Sequence, residues 1–257
     1  MATTFAAPRG ADRERRFHFI LALIMAAIVV AGFSMNLAMG RSTFAVPWQF
    51  HAHAVIFFAW VVLYIVQAGL ISANNAALHR RLGVLAYVLV PLMVVMAFVI
   101  IVKVLQRTGG PFFFAQNEFL CSNLMMTVLF AVLAFAALRV RRHNGWHRRL
   151  LLCAFTILVG PGLGRLLPMP LLIPNAWVIS ELLLLVFPLS AAIYDWRRRG
   201  KVHPALWWGM GSYVTVLAIS IALSWTAFGI GLTERVVAGT PGAERPMEAF
   251  LPPGFAM

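Results

Sequence analysis

Residues 82–102, LGVLAYVLVPLMVVMAFVIIV, hold no Asp, Glu, Lys or Arg and are bounded by Arg80-Arg81 on one side and Lys103 on the other. A helix rises about 1.5 Å per residue, so roughly 20 uncharged residues cross the ~30 Å hydrocarbon layer of a bilayer. The same test, carried outward, finds six more spans. Upstream lie 17–40 and the run from His51 to Ala73. Downstream, one span follows Glu118 and ends before Arg139. Another begins near Trp146 and closes in Gly160-Pro161-Gly162-Leu163-Gly164. A further one runs from Ala176 to Tyr194, interrupted by Glu181, and the last runs from His203 to near Gly231. The expected fold is an all-α polytopic integral membrane protein with seven transmembrane helices.

Composition agrees with this reading. Of 257 residues, 61% belong to the apolar set and 11% are charged, and the mean hydropathy is +0.85. A soluble domain carries about 25% charged residues, so the missing charge marks a surface that does not face water. Disorder, a collagen repeat and a disulfide scaffold are excluded as well, since Cys121 and Cys153 are the only cysteines and both sit in apolar runs.

Orientation follows from the basic residues, which short cytoplasmic loops collect. Fifteen of the 21 Lys and Arg fall on the side of the N-terminus, the Arg80-Arg81 loop, the 139–149 loop and the 197–201 loop. The N-terminus is therefore expected in the cytoplasm and the C-terminus outside, as in a bacterial inner (plasma) membrane protein. Residues 1–16 read as a cytoplasmic basic tail, 17–231 as the transmembrane domain and 232–257 as an exported flexible tail. Topology also accounts for the net charge of +13. Basic residues at helix ends meet anionic lipid headgroups on the cytoplasmic side, and no nucleic-acid-binding signature accompanies them.

Polar groups within the bilayer are costly and prompt a search for partners. His53, Trp60, Tyr64 and Gln67 share one face of the second span, either as hydrogen-bonding contacts between helices or as the lining of a ligand pocket. His51, His53, Glu118 and Glu181 all belong near the outer face and carry the donor types of a divalent-metal site. At the cytoplasmic face His79 and His147 open helices within matching His-Arg-Arg-Leu sequences. Either they help neighbouring arginines meet headgroups, or they are axial ligands of a six-coordinate haem b, with Arg80, Arg81, Arg148 and Arg149 pairing with its propionates. Gly160 and Gly164 match G-x-x-x-G, a close-packing signal. The chain has no G-x-S-x-G elbow, Walker loop or H-E-x-x-H motif, so no catalytic residue is assigned.

His51-Ala52-His53 with Trp60 and Gln67, then His79-Arg80-Arg81-Leu82-Gly83 and His147-Arg148-Arg149-Leu150, resembles a pattern in uncharacterised bacterial multi-pass membrane proteins. The histidine-basic helix start is also loosely similar to one in haem A synthase and b-type cytochrome families, where histidines on neighbouring helices hold haem. That resemblance implies at most one haem, near the cytoplasmic face, because the outer histidines His51 and His53 share one span.

Three functional readings follow. The first is a haem-b redox protein exchanging electrons with quinone in the Trp60, Tyr64 and Gln67 pocket. The second is a transporter or binding protein with an outward-facing His/Glu metal or proton site. The third is a structural subunit that associates with copies of itself or with other membrane proteins.

Overall fold

The computed structural model describes residues 9–254; residues 1–8 of the expected basic tail and 255–257 at the C-terminus lie outside the described residues. Ten α-helices follow in order: α1 (Arg9–Ala38), α2 (Trp48–Ser72), α3 (Ala76–Leu82), α4 (Ala86–Thr108), α5 (Gln116–Arg139), α6 (Asn144–Leu166), α7 (Ala176–Leu184), α8 (Val186–Arg199), α9 (Pro204–Ser224) and α10 (Ala227–Val237). No strand occurs among the described residues. Seven segments are long and apolar enough to cross a membrane, with α3–α4 and α7–α8 each acting as one span. The chain thus has the architecture of a multi-pass membrane protein.

Span boundaries differ from expectation where local chemistry decides them. The uncharged stretch at 82–102 lies inside a longer span, Ala76–Thr108. Asn75 starts it, its side chain accepting from the Leu78 N–H at 3.1 Å, and Gly109 at φ 72° ends it. Such a left-handed stop costs glycine nothing, having no Cβ to clash. The sixth span bends at Leu185 because Pro188 has no N–H to give the Leu184 carbonyl one turn earlier. The seventh ends at Ser224 rather than near Gly231. There the Asn117 amide donates to the Ser224 carbonyl at 2.9 Å, and Thr226 caps a new helix by accepting from the Gly229 N–H at 3.3 Å.

The surface is apolar around the middle and aromatic at both rims. Val62, Val88, Val95, Val132, Val186 and Ile193 are exposed, as lipid-facing side chains are. Trp196, Trp207 and Trp208 ring the end that carries the arginine loops, and Phe44, Trp48, Trp225 and Phe228 ring the other. The first is the basic end of the bundle and the second is the far end.

Helix α6 occupies the centre, packed against α1, α5, α7, α8 and α9. Its tightest neighbour is α1. A Cβ on Gly32 would come 2.1 Å from the Gly162 carbonyl oxygen, and one on Gly162 would come 2.6 Å from the Val29 Cα. Glycine at both positions is what lets the backbones touch, so the close approach runs through Gly162 and not through the Gly160/Gly164 pair.

Residues 232–254, read from sequence as a free tail, are folded against the far end. Helix α10 packs on α4, α5 and α9. Beyond it the Gln116 N–H donates to the Met247 carbonyl at 2.7 Å and the Phe250 N–H to the Phe112 carbonyl at 3.0 Å. The Arg245 guanidinium donates to the Gly109 and Phe114 carbonyls. These carbonyls lie in a turn with no helix partner to satisfy them, which explains why a basic residue is recruited there.

Candidate functional site

Two corners at the basic end are built alike. Helix α2 leads through a short turn into α3, and α5 into α6; each time a histidine near the start of the new helix reaches back to the old one. The His79 Nδ1 donates to the Gln67 carbonyl at 3.3 Å, and the His147 Nδ1 donates to the Ala137 carbonyl at 2.8 Å. A carbonyl only accepts, so each Nδ1 carries the hydrogen and each Nε2 presents a lone pair. That is the tautomer a metal-ligating imidazole adopts when backbone orients it.

The two rings meet edge to face, with centroids 6.3 Å apart and planes at 85°. A metal held by two imidazoles at about 2 Å from each nitrogen sets ring centroids roughly 6 Å apart. The observed centroid spacing matches that figure. Beside it the Gln67 side-chain amide is buried with neither Oε1 nor Nε2 partnered, and it faces Gly83, where a Cβ would stand 3.9 Å from its Nε2. The unsatisfied amide thus belongs to the residue whose carbonyl holds the His79 ring.

The four arginines separate into two pairs. Arg149 is fully buried and is held by Asp195, its Nε donating to Oδ2 at 2.7 Å. Its Nη2 also donates to Glu14 at 2.9 Å. Glu14 in turn accepts from Arg148 and, at 2.7 Å, from Arg199. Arg148 and Arg149 are thus bound to carboxylates that tie α1, α6 and α8 together, which leaves them poorly placed for propionates. Arg80 and Arg81 are exposed and have no ion pair among the described residues. Glu14 and Asp195 were passed over in the sequence. The available signal was two isolated acids, each beside a cluster of arginines at the basic end.

His203 precedes α9 and joins the same network, its backbone N–H donating to Asp195 at 3.3 Å. Its Nδ1 caps α9 by accepting from the Ala205 N–H at 3.1 Å. Burial lowers its pKa, and the Arg149, Arg199 and Arg148 charges push the same way against Asp195. The neutral ring is favoured in the fold, so the unfolded chain takes up the proton first as pH falls below about 6.5, and stability present above that pH is lost on acidification. The melting temperature is expected to fall from pH 7 to pH 5 less steeply in His203→Asn, which keeps a capping acceptor. Parallel slopes in a thermal-shift titration would exclude His203 as the source.

The polar face of α2 is continuous but not hollow along its middle. Trp60 packs edge-on against Phe130 at 5.5 Å, and Tyr64 meets Phe155 at 4.3 Å. Each of these rings thus meets a ring from another helix, and Gln67 belongs to the histidine corner. The outer His/Glu set does not converge. His51 is exposed, and His53 stacks on Phe57 at 4.0 Å. Glu118 accepts from the Trp225 indole at 2.9 Å, and Glu181 accepts from the Tyr213 hydroxyl at 2.5 Å. Among the described residues no three His, Cys, Asp or Glu stand together closely enough to hold a metal ion.

The sequence reading also passed over Gln49 and Arg165 at the far end, each with a buried polar atom that has no partner. Gln49 lies one turn before His53 on the same face of α2, and that spacing was the available signal. With this geometry in hand, comparison of the chain with protein-family models, curated proteins and solved structures finds no match.

Proposed function

We propose that the chain is a b-type cytochrome of the bacterial inner membrane, holding one haem between His79 and His147 at a basic, cytoplasmic end. The observation that carries this reading is the histidine pair: two imidazoles 6.3 Å apart, each with Nδ1 bonded to a backbone carbonyl and Nε2 free to ligate. When bound, such a haem supplies reversible one-electron storage. The protein's part is to orient both rings from rigid helix ends, with Gln67 as a polar neighbour and Arg80 and Arg81 available to meet carboxylate substituents. The basic loops support a cytoplasmic placement of this end against anionic lipid. A redox role also suits a chain with only 8 acidic residues, two of which are committed to arginines.

The test is an oxidised and dithionite-reduced absorption spectrum of the detergent-purified protein, expressed with haem precursor supplied, beside the His79→Ala, His147→Ala double variant. Reducible Soret and α bands are expected in the wild type and absent from the variant. A colourless wild type under full haem supply would overturn the proposal.

A further inference from the structure

Three side chains at the far end share a feature that the packing does not explain. The Gln49 Oε1, the His53 Nδ1 and the Arg165 Nε are each buried and lack a hydrogen-bond partner. Leaving one such atom unsatisfied costs about 1–3 kcal/mol, so three at one depth call for a common reason.

They do share a depth. Tyr64 of α2 touches Phe155 of α6, and the two helices run in opposite directions. His53 lies 11 residues back along α2 and Arg165 lies 10 residues on along α6. At about 1.5 Å per residue both positions fall roughly 15–17 Å from that contact, toward the same end. Phe33, which lies under the Arg165 guanidinium, also meets Phe58 of α2 at 5.7 Å, which sets Arg165 beside α2. Gln49 sits one turn above His53 on the same face of α2. Aromatic rings wall the cluster: Phe57 against His53 at 4.0 Å, and Phe33 with the Arg165 guanidinium over its face at 4.2 Å. Arg165 uses its Nη1 on the Pro161 carbonyl at 2.6 Å, which leaves its Nε–H unspent.

The chemistry of the three atoms is mixed. Arg165 offers a donor, Gln49 Oε1 can only accept, and the buried His53 nitrogen beside a cation serves best as an acceptor. A phosphate would satisfy the arginine and leave both acceptors bare. A flat ring carrying two hydroxyls satisfies all three, one hydroxyl donating to each acceptor and either oxygen accepting from Arg165, and aromatic walls suit that ring. Trp48, next to Gln49, is exposed at the far rim, which further calls for a membrane-soluble molecule. We infer that Gln49, His53 and Arg165 form a binding site for the head group of an isoprenoid hydroquinone. The choice of a redox-active ring rests on the cytochrome reading above, whereas the site's geometry does not. The inference also places the ligand at the far end of the α2 face instead of beside Trp60 and Tyr64.

The test measures anaerobic equilibrium binding of decylubiquinol to the detergent-purified full chain. Saturable binding is expected, weakened tenfold or more in His53→Leu and in Arg165→Met. Gln49→Leu, in the first turn of α2, covers the case in which either of those fails to fold, and it is expected to weaken binding of the hydroquinone more than of the quinone. Absence of saturable binding by the wild type, or equal binding by the variants, overturns the inference. Displacement by phosphatidylglycerol but not by phosphatidylcholine overturns it too, assigning the site to an anionic lipid. A colourless protein that still binds decylubiquinol defeats the cytochrome reading alone, and a coloured protein that does not bind it defeats this site alone.

Discussion

Arg149→Met is expected to lower the unfolding free energy by about 3–5 kcal/mol, the range for stripping one partner from a buried ion pair. Arg149 is fully buried, Asp195 is 1% exposed and Glu14 is 9% exposed. Removing the guanidinium leaves the Asp195 carboxylate enclosed with only the His203 N–H, at 3.3 Å, facing it. It also unties α8 from α6 at the basic end, next to the turn that orients His147. Asp195→Asn added to Arg149→Met is expected to restore part of the loss, because most of the cost is the uncompensated charge rather than a lost attraction. Thermal unfolding of the single and double variants in one detergent decides this. A single variant that melts with the wild type would mean that water reaches Asp195 and that the network contributes little.

The second large effect is at the contact of α1 with α6. Gly162→Ala places a Cβ 2.6 Å from the Val29 Cα, and the atom it meets belongs to backbone, so no side chain can turn aside. Overpacking of this kind costs about 1–3 kcal/mol, and the expected result for Gly162→Leu is larger, with α1 displaced from the bundle. Gly164→Ala supplies the contrast. Its Cβ would meet only the Met169 Cε at 4.0 Å, and replacing helical glycine by alanine contributes up to about 1 kcal/mol in favour of the helix. Denaturation midpoints are therefore expected to move in opposite directions, down for Gly162→Ala and up or unchanged for Gly164→Ala. The reverse order would show that the glycine pair four residues apart, not Gly162, carries the close approach.

The candidate site was legible in part. Matching His-Arg-Arg-Leu sequences pointed to His79 and His147, and the structure brings the two rings together at 6.3 Å. The same sequences suggested that all four adjacent arginines serve one purpose. They do not, because Arg148 and Arg149 face Glu14 and Asp195 while Arg80 and Arg81 face outward. No periodicity reveals that difference. It depends on which neighbour presents a carboxylate at that height, and Asp195 is 46 residues from Arg149 in the chain. The outer His/Glu set illustrates the converse: Glu118 meets Trp225 at the rim, whereas Glu181 meets Tyr213, 12 residues and roughly 18 Å further back along α9.

What the sequence determined by itself is the number of crossings and the identity of the lipid-facing segments. Those follow from transfer free energy, which is summed along a local stretch and needs no knowledge of neighbours. Hence 82–102 could be read in isolation, and six more spans with it. Tertiary structure decided which residues meet. Helix order sets whether a buried nitrogen finds a carbonyl, a carboxylate or nothing, and a glycine becomes a contact point only when another backbone arrives opposite it. The C-terminal segment shows the limit clearly: rich in Gly, Pro and charge, it has no core of its own, and it folds because Gly109, Phe112 and Phe114 leave carbonyls that Arg245 and the Phe250 N–H satisfy. Its order comes from partners supplied by another part of the chain, which composition cannot encode.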